Sequence, residues 1–177
     1  MKLILIDRDG VINHDSEFFI KNPDEWQPIE GSLEALARLN AAGFRVAVTT
    51  NQSGVARGLL DVPMLHRIHA KMHRAAAAVG ARIDAVFFCP HGPDDGCECR
   101  KPRPGMLREA LTRFGAEPDA TFVVGDSPRD LDAAVAAGCR PVLVLTGNGR
   151  RTLDEAQVPG QAIVRVDLAA LATELCA

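Results

Sequence analysis

The feature that most restricts the fold is a steady alternation of short apolar runs with amphipathic helical segments. Leu3–Ile6, Phe44–Val48, Ile83–Phe88, Phe122–Val124 and Val142–Leu145 are apolar-rich and of strand length, and Ile163–Val166 is a weaker sixth run. Near-continuous apolar strands suit a sheet covered on both faces. Between them, apolar residues return every three or four positions. Leu33, Leu36 and Leu39 follow Ser32; Leu65, Ile68, Met72, Ala75 and Val79 follow Asp61; Leu107, Leu111 and Phe114 follow Pro104; a fourth helix covers Arg129–Ala137. Ser32 and Asp61 can cap helix starts, Pro104 suits a first turn, and Gly43, Gly115 and Gly138 act as stops. The order predicts an α/β fold, a doubly wound and mostly parallel sheet flanked by helices and joined by right-handed crossovers. No repeat, low-complexity tract or Ser/Gly linker interrupts the 177 residues, so one domain over 1–177 is expected.

Composition narrows the function classes. Twenty Lys+Arg against 23 Asp+Glu gives a net charge of −3, which argues against a dedicated nucleic-acid binder. With 47% hydrophobic and 24% charged residues the chain is globular rather than disordered. Met1–Gly10 holds an apolar run of only four residues, too short for a signal peptide or a membrane span. A cytoplasmic location without membrane partners is expected, with the five cysteines in a reducing compartment where clustered thiols more often bind metal than pair. No interface stripe is legible, and a monomer is the expectation.

Open α/β sheets bind ligands beyond the carboxyl ends of their strands. Four strand ends carry polar sets: Asp7-Arg8-Asp9-Gly10, Thr49-Thr50-Asn51-Gln52-Ser53-Gly54, a Cys/His loop ending in Arg100-Lys101-Pro102, and Gly125-Asp126-Ser127. Asp7, Asp9 and Asp126 offer the hard oxygen ligands that Mg²⁺ prefers. Asp7 could attack phosphorus, and Asp9 could protonate the leaving oxygen and then deprotonate water. Thr50 and Lys101 could stabilise a transferring phosphoryl group. Any one of these aspartates could instead simply cap a helix or turn. Four sets in strand order are harder to explain that way.

Cys89-Pro90-His91 and Cys97-Glu98-Cys99 bracket a turn-forming Gly92–Gly96 segment. Three thiolates and one imidazole match a closed, structural zinc site, with a disulfide or redox-active thiols as the alternatives. Such a site would stiffen the loop that presents Arg100 and Lys101.

Asp7-Arg8-Asp9-Gly10, Thr50-Asn51, Lys101-Pro102 and Gly125–Asp130 resemble the four motifs of the haloacid dehalogenase-like phosphatases, in order and over nearly the whole chain. The resemblance implies a Rossmann-like core with Asp7 as nucleophile, Asp9 as general acid/base, Mg²⁺ held by Asp7, Asp9 and Asp126, and Thr50 and Lys101 on the phosphoryl group. Asp130 would support the metal site or Lys101, or cap the next helix. The Cys/His loop with Thr50–Gly58 is similar to the branch of bacterial heptose 1,7-bisphosphate 7-phosphatases and histidinol-phosphate phosphatases. The heptose branch implies a small phosphorylated sugar as substrate, recognised by Asp15, Ser16, Glu17, Phe18, Asn51, Gln52, Ser53 and Arg100. A DNA 3′-end phosphatase and a non-catalytic zinc-stabilised scaffold are weaker readings, disfavoured by the acidic balance and by the complete catalytic set. The His91–Cys97 loop is shorter than in many relatives, and Val11 stands where many have Thr.

Segments between the motifs leave little room for a cap domain, so loops must select the substrate. Gly10–Pro28, with Phe18, Phe19 and Trp26, is the longest stretch without a period and either serves this purpose or covers a sheet edge. His66, His69 and His73 read as a solvated helix face, Gly147–Arg151 as a surface turn, and Cys139 and Cys176 as isolated thiols.

Overall fold

The structure, a computed structural model, describes residues 1–177. Its elements are β1 (Lys2–Ile6), α1 (Ser32–Ala41), β2 (Phe44–Asn51), α2 (Val62–Ala78), β3 (Ala85–Cys89), α3 (Gly105–Phe114), β4 (Phe122–Gly125), α4 (Pro128–Ala136), β5 (Arg140–Val144), α5 (Gly149–Asp154), β6 (Ile163–Arg165) and α6 (Leu168–Leu175). The strands form one sheet in the order β3-β2-β1-β4-β5-β6, and every pairing is parallel. The doubly wound α/β sheet expected from the apolar runs is therefore present, without an inserted cap domain.

Side chains of β1 alternate between two cores, as the pleat requires. Ile4 and Ile6 pack with Leu33, Leu36 and Leu39 of α1, Leu65, Ile68 and Met72 of α2, and Leu168 and Leu171 of α6. Leu3 and Leu5 face the other way, onto Met106, Leu107 and Leu111 of α3 and Ala133 and Ala134 of α4. Each fully buried aliphatic side chain contributes about 1.5–3 kcal/mol, so the two layers fix the sheet. No helix is long and apolar enough to cross a membrane.

Local signals place the elements closely. Asp61 caps α2, its side chain accepting from the Met64 N–H at 2.8 Å. The αL conformation of Gly115 closes α3. Three differences bear on the site. β2 extends to Asn51, because Thr49, Thr50 and Asn51 pair with Phe87, Phe88 and Cys89. β3 begins at Ala85 rather than Ile83 and carries the first cysteine at its end. Gly149–Asp154 is a helical turn rather than a plain surface turn, and its N-terminal approach touches the site.

Candidate active site

Parallel strands with central β1 and β4 bring Asp7 and Asp126 to adjacent strand ends. The backbone register is set by the Asp7 N–H donating to the Val124 carbonyl at 2.9 Å. Asp130 joins them from the first turn of α4, where its Oδ2 accepts from the Ser127 N–H (3.1 Å) and hydroxyl (2.6 Å). It therefore both caps the helix and faces the site. Ligand oxygens of Asp7, Asp126 and Asp130 all lie within 4.8 Å of one another, and all three residues are buried.

Lys101 answers this charge. Its ammonium, 2% exposed, lies 3.2 Å from Asp7 Oδ1 and 2.6 Å from Asp130 Oδ1, and donates to the Thr49 carbonyl at 2.7 Å. Burial works against the charged form, but Asp130 and Asp7 hold Lys101 above its ordinary pKa. Asn51 fixes the lysine backbone in both directions, donating to the Lys101 carbonyl at 3.0 Å and accepting from its N–H at 3.1 Å. One ammonium does not neutralise three carboxylates. Burial, followed by repulsion from Asp130, raises Asp7 despite Lys101, and the same two causes push Asp126 up to about 7. Asp7 and Asp126, which prefer protons in this way beside an Asp130 that Lys101 holds low against burial, are chemically suited to a small divalent cation.

The carboxylate of Asp9 stands apart from this set. Arg8 grips it with Nε to Oδ1 at 2.9 Å and Nη2 to Oδ2 at 3.1 Å, Asn13 donates at 2.9 Å and Gln52 at 3.0 Å. Although burial pushes the other way, Arg8 and these amides keep Asp9 below the usual carboxylate range. Gln52 also donates to Thr50 Oγ1 at 2.9 Å, which leaves that hydroxyl hydrogen free.

A cleft of about 160 Å³ opens over these groups and is lined by Asp7, Asp9, Asp15, Ser16, Thr50, Asn51, Gln52, Ser53 and Arg100. Phe19, Ile20 and Arg129 complete it and were not singled out from sequence as substrate contacts. Glu17 and Phe18 are exposed, Phe18 at 78%, and stand outside the lining of this cleft. Phe19, with φ of +65°, lines it instead. Trp26 from the same irregular segment is fully buried in the core. A wider cavity of about 400 Å³ adjoins the cleft and shares Arg100 and Arg129 with it, adding Arg103.

Two further expectations are corrected. Gly147-Asn148 is no plain turn: the Asn148 N–H donates to Asp126 Oδ2 at 2.8 Å. A Cβ on Gly147 would lie 2.2 Å from that oxygen, and one on Gly10 2.0 Å from it, so two glycines let the loops close on Asp126. His69 is not solvated but 5% exposed, with Nε2 3.1 Å from Arg8 Nη1.

Cys89, His91, Cys97 and Cys99 also converge within 4.8 Å, and none forms a disulfide. Their separations are 3.2 Å (Cys99–Cys89), 3.3 Å (His91–Cys99), 3.5 Å (Cys89–His91) and 3.7 Å (Cys89–Cys97). Metal–sulfur bonds of about 2.3 Å imply sulfur separations near 3.7 Å in a tetrahedron, so the set fits a closed four-ligand metal site.

Residues 98–171 match the family model described as HAD-hydrolase-like. The D-glycero-beta-D-manno-heptose-1,7-bisphosphate 7-phosphatase of Bordetella bronchiseptica is 56% identical over 175 residues, covering 99% of this chain and 98% of the relative. The enzyme of the same name from Pseudomonas putida is 50% identical, covering 99% of both. The chain belongs to the heptose-1,7-bisphosphate 7-phosphatase family. The crystal structure of the B. bronchiseptica D,D-heptose 1,7-bisphosphate phosphatase, complexed with magnesium and phosphate, superposes with a TM-score of 0.97 over 99% of this chain and 98% of that one. The Burkholderia thailandensis structure gives 0.79 at 50% identity, covering 98% and 97%. Membership of this heptose-bisphosphate phosphatase family makes the chain a phosphatase with the core expected from the four motifs.

Proposed function

We propose that this chain is a Mg²⁺-dependent phosphomonoesterase. It removes the 7-phosphate of D-glycero-D-manno-heptose 1,7-bisphosphate through an aspartyl-phosphate on Asp7 and releases heptose 1-phosphate. The relatives' names specify the β anomer, and that anomer is carried to this chain. The observation that supports the reading most directly is the buried meeting of Asp7, Asp126, Asp130 and Lys101, of which Asp7 reaches the cleft.

Asp7 Oδ1 accepts from the Arg8 N–H at 2.8 Å and lies 3.2 Å from the lysine ammonium, and the cation would share this oxygen, so Oδ2 is the one left to attack phosphorus. Its attack forms the Asp7–phosphorus bond and breaks the bond to the sugar C7 oxygen, while Asp9 gives that oxygen its proton. Water then attacks phosphorus, Asp9 takes the water's proton, and inorganic phosphate leaves Asp7. Asp9 is held ionised in the free enzyme, and the arriving phosphate's negative charge favours the proton it needs for the first half. Thr50 and Lys101 stabilise the charge that builds on the phosphoryl oxygens.

Asp7 and Asp126 would hold Mg²⁺ through their carboxylates. Asp9, whose carboxylate is occupied, would contribute its main-chain carbonyl, to which no internal N–H donates. When bound, Mg²⁺ supplies the charge neutralisation that lets these acids share a pocket with a phosphate. Asp15, Ser16, Asn51, Gln52 and Ser53 face the sugar from the cleft walls. Arg100, Arg103 and Arg129 offer the adjoining cavity to the phosphate on C1. Zinc is assigned to Cys89, His91, Cys97 and Cys99, with a stiffening role for the loop before Arg100; Arg100 itself donates to the His91 carbonyl at 3.4 Å. The protein is placed in the cytoplasm as a monomer.

Phosphate release from heptose 1,7-bisphosphate, followed by ³¹P NMR to identify the phosphate lost, tests the proposal. Activity should vanish in Asp7→Asn and with EDTA, and return with Mg²⁺. A higher kcat/KM on histidinol phosphate, or loss of the C1 phosphate, would overturn the substrate assignment.

A further inference from the structure

Of the residues that hold Asp9, Arg8 extends away from the cleft. Arg8 sits between the two catalytic aspartates in sequence, yet its side chain is fully buried and turned behind them. A guanidinium has five N–H donors and accepts nothing, so burial is tolerable only when its edges are matched. One edge is spent on both oxygens of Asp9. The remaining Nη1 meets Nε2 of His69 at 3.1 Å, across 61 residues of sequence, from the middle of α2.

Because arginine only donates, Nε2 must accept, which makes His69 a neutral imidazole with its proton on Nδ1. Burial, then the Arg8 charge, pushes this histidine down to about 3, in agreement with the geometry. Its ring leans on Phe88, with centroids 6.2 Å apart, so β3 fixes its orientation. Neither Arg8 nor His69 lines the cleft that takes substrate.

We propose that His69 is a positioning residue for the phosphatase reaction: it anchors the Arg8 guanidinium, and that guanidinium sets the angle at which Asp9 presents its carboxylate to the leaving oxygen. The inference rests on the activity proposed above. Asp9 must serve one oxygen in the first half-reaction and a water in the second, and displacement of such a group by about 1 Å can cost about a hundredfold in rate. Since neither Arg8 nor His69 lines the cleft, the loss belongs in kcat rather than KM.

The test compares the parent with His69→Gln, His69→Leu and His69→Asn, each assayed for phosphate release from heptose 1,7-bisphosphate at saturating Mg²⁺ and checked for folding by circular dichroism. Gln can place an oxygen where Nε2 lies, Leu offers no acceptor, and Asn falls short of Arg8. Leu should lower kcat about tenfold or more with KM within about twofold, and Gln should stay within about threefold of the parent. Asn should show the same loss as Leu, and it decides the matter if Leu does not fold. Full kcat in the Leu and Asn variants, a loss confined to KM, or equal damage by Gln would overturn the role of His69. A parent that releases no phosphate would refute the activity and this inference with it, whereas an active parent beside an equally active Leu variant refutes only the inference.

Discussion

Lys101→Met keeps about the length of the lysine stem and removes its charge together with its hydrogen bond to the Thr49 carbonyl. At 3.2 Å from Asp7 and 2.6 Å from Asp130, the ammonium gains about 5 and about 6 kcal/mol of attraction at an effective dielectric constant of about 20. Desolvating the ammonium returns several kcal/mol of this, so deletion should cost about 3–5 kcal/mol, the usual result of orphaning a buried charge. Asp130 suffers most, because it is 1% exposed and its Oδ1 has no other partner. Urea unfolding in EDTA should show the loss, and saturating Mg²⁺ should recover part of it by supplying positive charge to the same carboxylates. kcat should fall about 10²–10³-fold even with Mg²⁺ present, since the lysine also faces the developing phosphoryl charge. A variant within about 1 kcal/mol of the parent in EDTA, with kcat within about threefold, would refute the argument that this lysine balances the acidic set.

Other outcomes follow from the same geometry. Asp126 is raised to about 7 from 3.8, and Asp7 is raised as well, so both favour the folded state most at low pH; that contribution is lost as pH rises through the folded values. The melting temperature in EDTA should therefore fall between about pH 5 and 8, and Mg²⁺ should flatten the slope; equal slopes would contradict the site. Gly147→Ala drives a Cβ against Asp126 at a φ of +55°, so Mg²⁺ titrations of activity should show affinity about 10–100-fold weaker. Stripping metal from the thiol cluster, or Cys97→Ser, should raise KM and lower kcat together, because the cluster holds the loop bearing both Arg100 and the catalytic Lys101; unchanged KM and kcat would argue against that role.

The sheet was legible because its four inner strands are covered on both faces and are apolar nearly throughout, and the strand-end motifs then fell on one edge by topology alone. The cysteine cluster was legible for a similar reason, since its ligands come as two close pairs. What the sequence hid depends on contacts distant in the chain or made by the backbone. His69 lies four residues after Leu65 on the buried side of α2, a spacing that could have flagged it, but Arg8 as its partner is a tertiary fact. Asn148 reaches Asp126 through its N–H at 2.8 Å, which any residue but proline could supply, with its side-chain amide adding a longer contact at 3.4 Å. Phe18 and Phe19 are the same residue type side by side, and only the left-handed backbone at Phe19 decides which one meets the cleft.

The most direct measurement is an acid quench of the enzyme within a single turnover of heptose 1,7-bisphosphate, followed by mass spectrometry of the peptide containing Asp7. A substrate-dependent phosphate on Asp7, formed and lost at rates compatible with kcat, is the expected result. Product release at full rate with no phosphate on that residue would contradict the account.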